Sequence, residues 1–229
     1  MKNGTLIIAV LMILGVSGCS SNKELEEMKK EKIALEEKIR DLEGQVAHYK
    51  KSDAKLKFLA AKMQGVKARM ITNFGTIEMK FYPDDAPIQC FNFITRAESG
   101  FYDGTQFHRV IPGFMIQGGD PNTKDNNPYN DGQGGPIVNV PHEFNKRSHK
   151  RGVLSTARVS DPSQGAGSQF FIMHAQAPHL DGQYTVFGEV TKGMEVVDEI
   201  ARVKKVTNDP RLRDRPAKPV IIEKIEVFR

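Results

Sequence analysis

Tryptophan is absent from the chain, and cysteine occurs only at Cys19 and Cys90. Those two cysteines sit in unlike contexts, so no intrachain disulfide is expected. Long apolar runs are also missing. The longest, Leu6–Leu14, is too short to cross a bilayer comfortably as a helix. The histidines are scattered with no HxxxH pair or carboxylate at ligand spacing, so no metal site is expected. Ser155 and Ser168 lack the strand–turn–helix context of a nucleophile elbow. Gly132-Gln133-Gly134-Gly135 has no following Lys-Ser/Thr and reads as a loop, not a phosphate cradle. The net charge of +5 is spread along the 229 residues without aromatics interleaved in a basic run, which argues against nucleic acid as a partner.

What is present falls into three parts: 1–18, 19–66 and 67–229. The first has Lys2 ahead of the apolar run and small residues at its end, as in an export signal. It closes on Val16-Ser17-Gly18-Cys19. The bland alternative is an ordinary secretory signal with an incidental cysteine. The second part repeats apolar residues in heptads. With Leu25 at position a, the a series is Leu25, Lys32, Ile39, Val46, Asp53 and Ala60, and the d series is Met28, Leu35, Leu42, Tyr49, Leu56 and Met63. Every d residue is apolar, which predicts a coiled-coil helix about 60 Å long. Lys32, Asp53 and Gly44 weaken that pattern. The competing reading is a single charged helix, or one that lies on the following domain.

From about Lys67 the period changes to two. A hairpin is expected over Arg69–Phe81, around Asn73-Phe74-Gly75, and a helix opens at Pro83–Pro87 and closes at Gly100. Further strands are expected at 107–117, 137–140, 152–157, 168–173, 185–190 and 220–228, with a short helix over 194–202. Many short strands with two helices predict a mainly β domain, closed or nearly closed into an antiparallel barrel.

The densest stretch is Phe107-His108-Arg109-Val110-Ile111-Pro112-Gly113-Phe114-Met115-Ile116-Gln117-Gly118-Gly119-Asp120. Two short strands around the Pro112-Gly113 turn bring Arg109, Phe114, Met115 and Gln117 toward one patch. On spacing alone, Arg109 is equally well read as a core arginine satisfied by backbone. This run resembles the signature of the cyclophilin family of peptidyl-prolyl cis-trans isomerases. So do Gly167-Ser168-Gln169-Phe170-Phe171-Ile172 and Leu180-Asp181-Gly182-Gln183-Tyr184-Thr185-Val186-Phe187-Gly188. The resemblance extends from about Arg69 to the C-terminus. It implies a closed eight-stranded antiparallel barrel with two capping helices.

The same resemblance implies roles. Arg109 is the catalytic arginine, acting with Phe114 and Gln117. Met115, Phe171 and Leu180 line a proline pocket, and Ala157 and Arg158 hold the substrate backbone. Gln169 supports the site, and His179 and Tyr184 stand at its rim. His179 replaces a tryptophan common in eukaryotic members and Tyr184 a histidine, which implies isomerase activity with weak cyclosporin binding. No cofactor is implied. Val16–Cys19 resembles a bacterial lipobox, which implies cleavage before Cys19 and its modification by acyl chains, palmitate among them. The expected protein is therefore a membrane-anchored, extracytoplasmic lipoprotein. It would self-associate through residues 25–63 and act on proline-containing unfolded or exposed polypeptides. The rival functions are a non-catalytic chaperone or interaction module using the same groove, or a protein in which the helix is the working part.

Overall fold

The computed structural model describes residues 22–229 except 137 and 160. The signal, the lipobox and Cys19 lie outside the described residues. So do the side chains of Leu25 and Tyr49. The chain divides into two compact units after Asp53. Helix α1 (Asn22–Met63) fills the described part of the first unit and enters the second. In the first unit the heptad residues Met28, Leu35, Ile39, Leu42 and Val46 are all exposed in this single chain. In the second unit the last turns behave differently. Ala60 and Met63 are buried, and Leu59 packs against the domain core. Within the second unit the helix's last apolar residues are covered by the domain core.

Among its described residues, the second unit has eight strands and two further α-helices. They are β1 (Lys67–Thr72), β2 (Gly75–Phe81), α2 (Pro87–Glu98), β3 (Arg109–Ile111), β4 (Met115–Gly118), β5 (Val153–Arg158), β6 (Ala166–Met173), β7 (Val186–Lys192), α3 (Met194–Ala201) and β8 (Ile222–Phe228). The strands form one antiparallel sheet in the order β3-β4-β6-β5-β7-β2-β1-β8.

The sheet is a curled half-barrel, not the closed barrel expected from sequence. Edge strands β3 and β8 share no ladder. Strand β3 has only three residues, and its outer edge receives a loop, with Val110 N–H donating to Asp214 O at 2.8 Å. That loop holds Pro210, Pro216 and Pro219, and proline has no N–H to extend a ladder. The seam is spanned instead by the segment ahead of β3, where Phe107 N–H donates to Val220 O at 2.9 Å and Ile222 N–H donates to Thr105 O at 2.8 Å. The strand expected at 137–140 is also missing. Residue 137 lies outside the described set, and Val140 makes only an isolated bridge to Ala166.

Strand alternation separates two cores. On β6, Phe170 and Ile172 join the main core, while Phe171 and Met173 join a smaller one. On β4, Ile116 and Met115 divide in the same way. The smaller core carries the site. Helix α2 begins at Pro87 with no side-chain cap of its own. The Glu143 carboxylate caps it from a distant loop, accepting from Ile88 N at 3.0 Å and Gln89 N at 2.8 Å.

Candidate functional site

Register brings the signature residues together. Arg109 faces Gln117 across the β3–β4 pair, and Gln117 faces Phe171 across β4–β6. A small cavity of about 110 Å³ opens there, lined by Arg109, Phe114, Met115, Gln117 and Phe171 and closed by Ala157, Arg158, Leu180 and Tyr184. Met115, Phe171 and Leu180 are buried and form an apolar floor. Arg109 stands at the mouth, with 44% of its side chain exposed, and not inside the core.

The polar side of the cavity is a chain of hydrogen bonds. Arg109 Nη1 donates to Gln117 Oε1 at 3.4 Å, and its Nε lies 3.5 Å from Asp214 Oδ2. Gln117 Nε2 donates to Gln169 Oε1 at 3.0 Å, and Gln169 Nε2 donates to Gly134 O at 2.8 Å. Asp120, fully buried, organises the glycine loop behind them. It accepts from Gly132 N and Gly134 N on one oxygen and from Asn122 N on the other. Gly119 makes this packing possible. It has φ +83°, and a Cβ there would stand 2.6 Å from Ser168 O.

The rim is aromatic. His179 stacks on Phe114 with ring centroids 5.9 Å apart, and Tyr184 meets Phe171 edge-on at 5.7 Å. The Arg158 guanidinium lies over the Tyr184 ring at 4.6 Å, and its Nε donates to Gln183 O at 3.0 Å. All eleven residues implied by the sequence resemblance therefore meet at one place. Nine line the cavity, while Gln169 and His179 touch its lining residues.

The family described as cyclophilin type peptidyl-prolyl cis-trans isomerase/CLD matches residues 67–227. The chain belongs to this family. It is 43% identical over 145 residues to a peptidyl-prolyl cis-trans isomerase of Synechococcus elongatus, covering 60% of this chain and 94% of that one. It is 40% identical over 166 residues to the peptidyl-prolyl cis-trans isomerase-like 2 of Rhizopus delemar, covering 70% of this chain but 28% of that longer protein. Among solved structures it resembles a Cryptosporidium parvum cyclophilin type peptidyl-prolyl cis-trans isomerase determined in the presence of the dipeptide Ala-Pro. The TM-score is 0.63 with 32% identity, covering 71% of this chain and 99% of that one.

This cyclophilin also carries supporting residues that sequence reading missed. His149 is fully buried, with Nδ1 2.9 Å from Asp181 Oδ1 and Nε2 3.0 Å from Ser155 Oγ. The ring is thus held at both nitrogens, by the Asp181 carboxylate on one side and on the other by a Ser155 hydroxyl that itself donates to Thr185 O at 2.9 Å. Burial pushes His149 below its ordinary pKa, against the opposing pull of Asp181. It stacks on Phe171 at 6.1 Å and meets Tyr184 at 6.4 Å, bracing both walls of the pocket. Nothing in the order of residues distinguishes His149 from its neighbours. The contact exists only because the loop bearing Asp181 folds back over β5.

His108 is the second buried histidine. Burial lowers its pKa to about 4, partly opposed by nearby Asp120. From pH 6.5 down to about 4 the unfolded chain accepts a proton here that the folded chain refuses. Stability therefore falls as pH drops through that window. Urea unfolding at pH 7 and pH 4.5 is expected to show a loss about 2–3 kcal/mol larger for the native chain than for His108→Gln. Equal losses would assign the acid sensitivity elsewhere.

Proposed function

We propose that Arg109 accelerates X-Pro isomerisation by donating a hydrogen bond to the prolyl nitrogen of a twisted amide. Resonance makes rotation about the peptide bond cost about 18–20 kcal/mol. As the bond twists, the nitrogen regains a lone pair that a planar amide lacks. A donor aimed at that nitrogen stabilises the twisted form over both planar ones, which is all that catalysis requires. No nucleophile or proton transfer is needed. Phe114, Met115, Phe171 and Leu180 grip the proline ring while the preceding carbonyl turns. Gln117 and the backbone at Ala157 and Arg158 hold the chain, and Gln169 fixes Gln117. His179 and Tyr184 close the rim.

The observation that carries this reading is the placement of the Arg109 guanidinium at the mouth of an apolar cavity, steadied by Gln117 and Asp214. The test is NMR exchange spectroscopy of a short X-Pro peptide in the presence of the full chain. Exchange much faster than in the free peptide is the expected result. Chemical-shift changes without faster exchange would mean a docking groove and would sink the enzyme mechanism.

The proposed setting is extracytoplasmic, anchored to a membrane of the bacterial cell envelope, with clients that are unfolded or surface-exposed proline-containing polypeptides. Supporting it are the short apolar run and the Val16-Ser17-Gly18-Cys19 sequence, with Cys19 as the acylated residue. Several acyl chains give stable anchoring at about 0.8 kcal/mol per buried CH2. The exposed stripe of Met28, Leu35, Ile39, Leu42 and Val46 supports a coiled-coil stalk joining copies of the chain. Light scattering is expected to show an oligomer that becomes a monomer when residues 20–53 are removed. Cys19→Ser is expected to move the protein from the membrane to the soluble fraction, and retention would refute the anchor.

A further inference from the structure

Beside the proline pocket lies a second, larger cleft of about 720 Å³, a volume typical of ligand sites. It shares Arg109, Gln117 and Arg158 with the pocket, so one bound peptide can reach both. Its lining carries five guanidiniums, Arg109, Arg158, Arg211, Arg213 and Arg215, against two carboxylates, Asp131 and Asp214. Asp209 and Lys205 pair with lining residues from outside and leave the excess of three positive charges unchanged.

The internal partners leave donor capacity open. Arg215 is committed to Asp131 at 2.8 Å. Arg211 pairs with Asp209, two residues away, while its guanidinium lies over the Tyr129 ring at 4.4 Å. Arg213 is exposed and has no carboxylate within ion-pair distance among the described residues. A planar fork of donors at the edge of a charged cleft suits a carboxylate better than any neutral side chain.

We propose that this cleft is a specificity subsite that takes an acidic side chain of the substrate, a few residues along the chain from the isomerising proline. The inference rests on the isomerase reading above and names the class of substrate favoured. Arg213 provides the open charge, while Arg211 with Asp209 and Arg215 with Asp131 form the fixed walls. An acidic residue there is steered in by the field of the arginines, and the preference appears chiefly in kcat/KM.

The experiment uses the full chain and short Ala-Pro peptides, with a single Asp or its isostere Asn placed at each of three positions on either side of the Ala-Pro pair. Exposed ion pairs are individually modest, so at one register the Asp peptide is expected to exceed the Asn peptide by about three- to tenfold at low salt. The ratio should fall toward one at high salt, and also in the double variant Arg211→Gln, Arg213→Gln. Ratios of one at every register, with the neutral peptide still turned over, overturn the subsite and leave the isomerase reading intact. A preference that survives the double variant also overturns it, since the acid is then read elsewhere. Failure to turn over the neutral peptide overturns the isomerase reading, and the subsite with it.

Discussion

Arg109→Ala is expected to lower kcat/KM for an X-Pro peptide by about 10²–10³-fold, the usual cost of removing one preorganised donor from a transition-state site. The size follows from how Arg109 is held. It lies on a three-residue strand opposite Gln117, with Asp214 3.5 Å from Nε. Gln117 is fixed by Gln169, and Gln169 by Gly134 O. The donor is therefore in place before substrate arrives. Alanine removes it without disturbing the floor of Met115, Phe171 and Leu180, so peptide affinity should change far less than turnover. Arg109→Lys keeps the charge but loses the planar fork, and an intermediate rate is expected. Exchange spectroscopy at saturating peptide separates the two quantities. Unchanged exchange in the alanine variant would remove Arg109 from the mechanism.

Phe170→Ala is expected to cost about 3–5 kcal/mol of stability, the range for deleting a buried phenylalanine. Phe170 is 1% exposed and stands at the centre of an aromatic cluster. Its ring meets Phe93 edge-on at 5.3 Å, Tyr102 at 5.7 Å and Phe107 at 6.1 Å. Phe93 is held by Phe81 and Phe187 and Tyr102 by Phe101, so these two rings cannot collapse into the space without losing those contacts. The melting temperature should fall by on the order of 10 °C. Because Phe170 points away from the proline pocket, the folded fraction should retain its turnover. The next residue, Phe171, reverses this pattern, since its ring forms the pocket floor. A small change in melting temperature for Phe170→Ala would mean the cluster repacks.

Several elements were readable from the chain alone. The hairpin around Asn73-Phe74-Gly75, helix α2 opening near Pro87, and helix α3 from Met194 all stand where turn residues and apolar periodicity placed them, within a few residues. Each depends on interactions among near neighbours. The expected strand over 137–140 failed for the opposite reason. An apolar, β-branched run favours a strand, yet a strand forms only where a partner edge is free. Among the described residues there, only Val140 meets one, at Ala166.

The open edge of the barrel has a similar cause. Counting strands says nothing about which edges meet, and β3 is covered by the proline-bearing loop that carries Asp214. The residues named by resemblance meet around one cavity because motif resemblance carries tertiary information that periodicity does not. From spacing alone, Arg109 was as readily a core arginine.

Sequence by itself therefore determined the membership of the elements and the family: where the period is two, where it is near 3.6, and which rare residue runs mark the pocket. Those are local properties, set by side-chain alternation, turn chemistry and capping over a few residues. Tertiary structure alone decided the open edge of the half-barrel, the capping of α2 by Glu143 and the bracing of Phe171 by His149 and Asp181. It also placed Asp214 beside Arg109 and the arginine-lined cleft beside the pocket. In every one of these cases the partners lie tens of residues apart or more. Their meeting depends on strand order and loop course, which no short stretch of chain encodes.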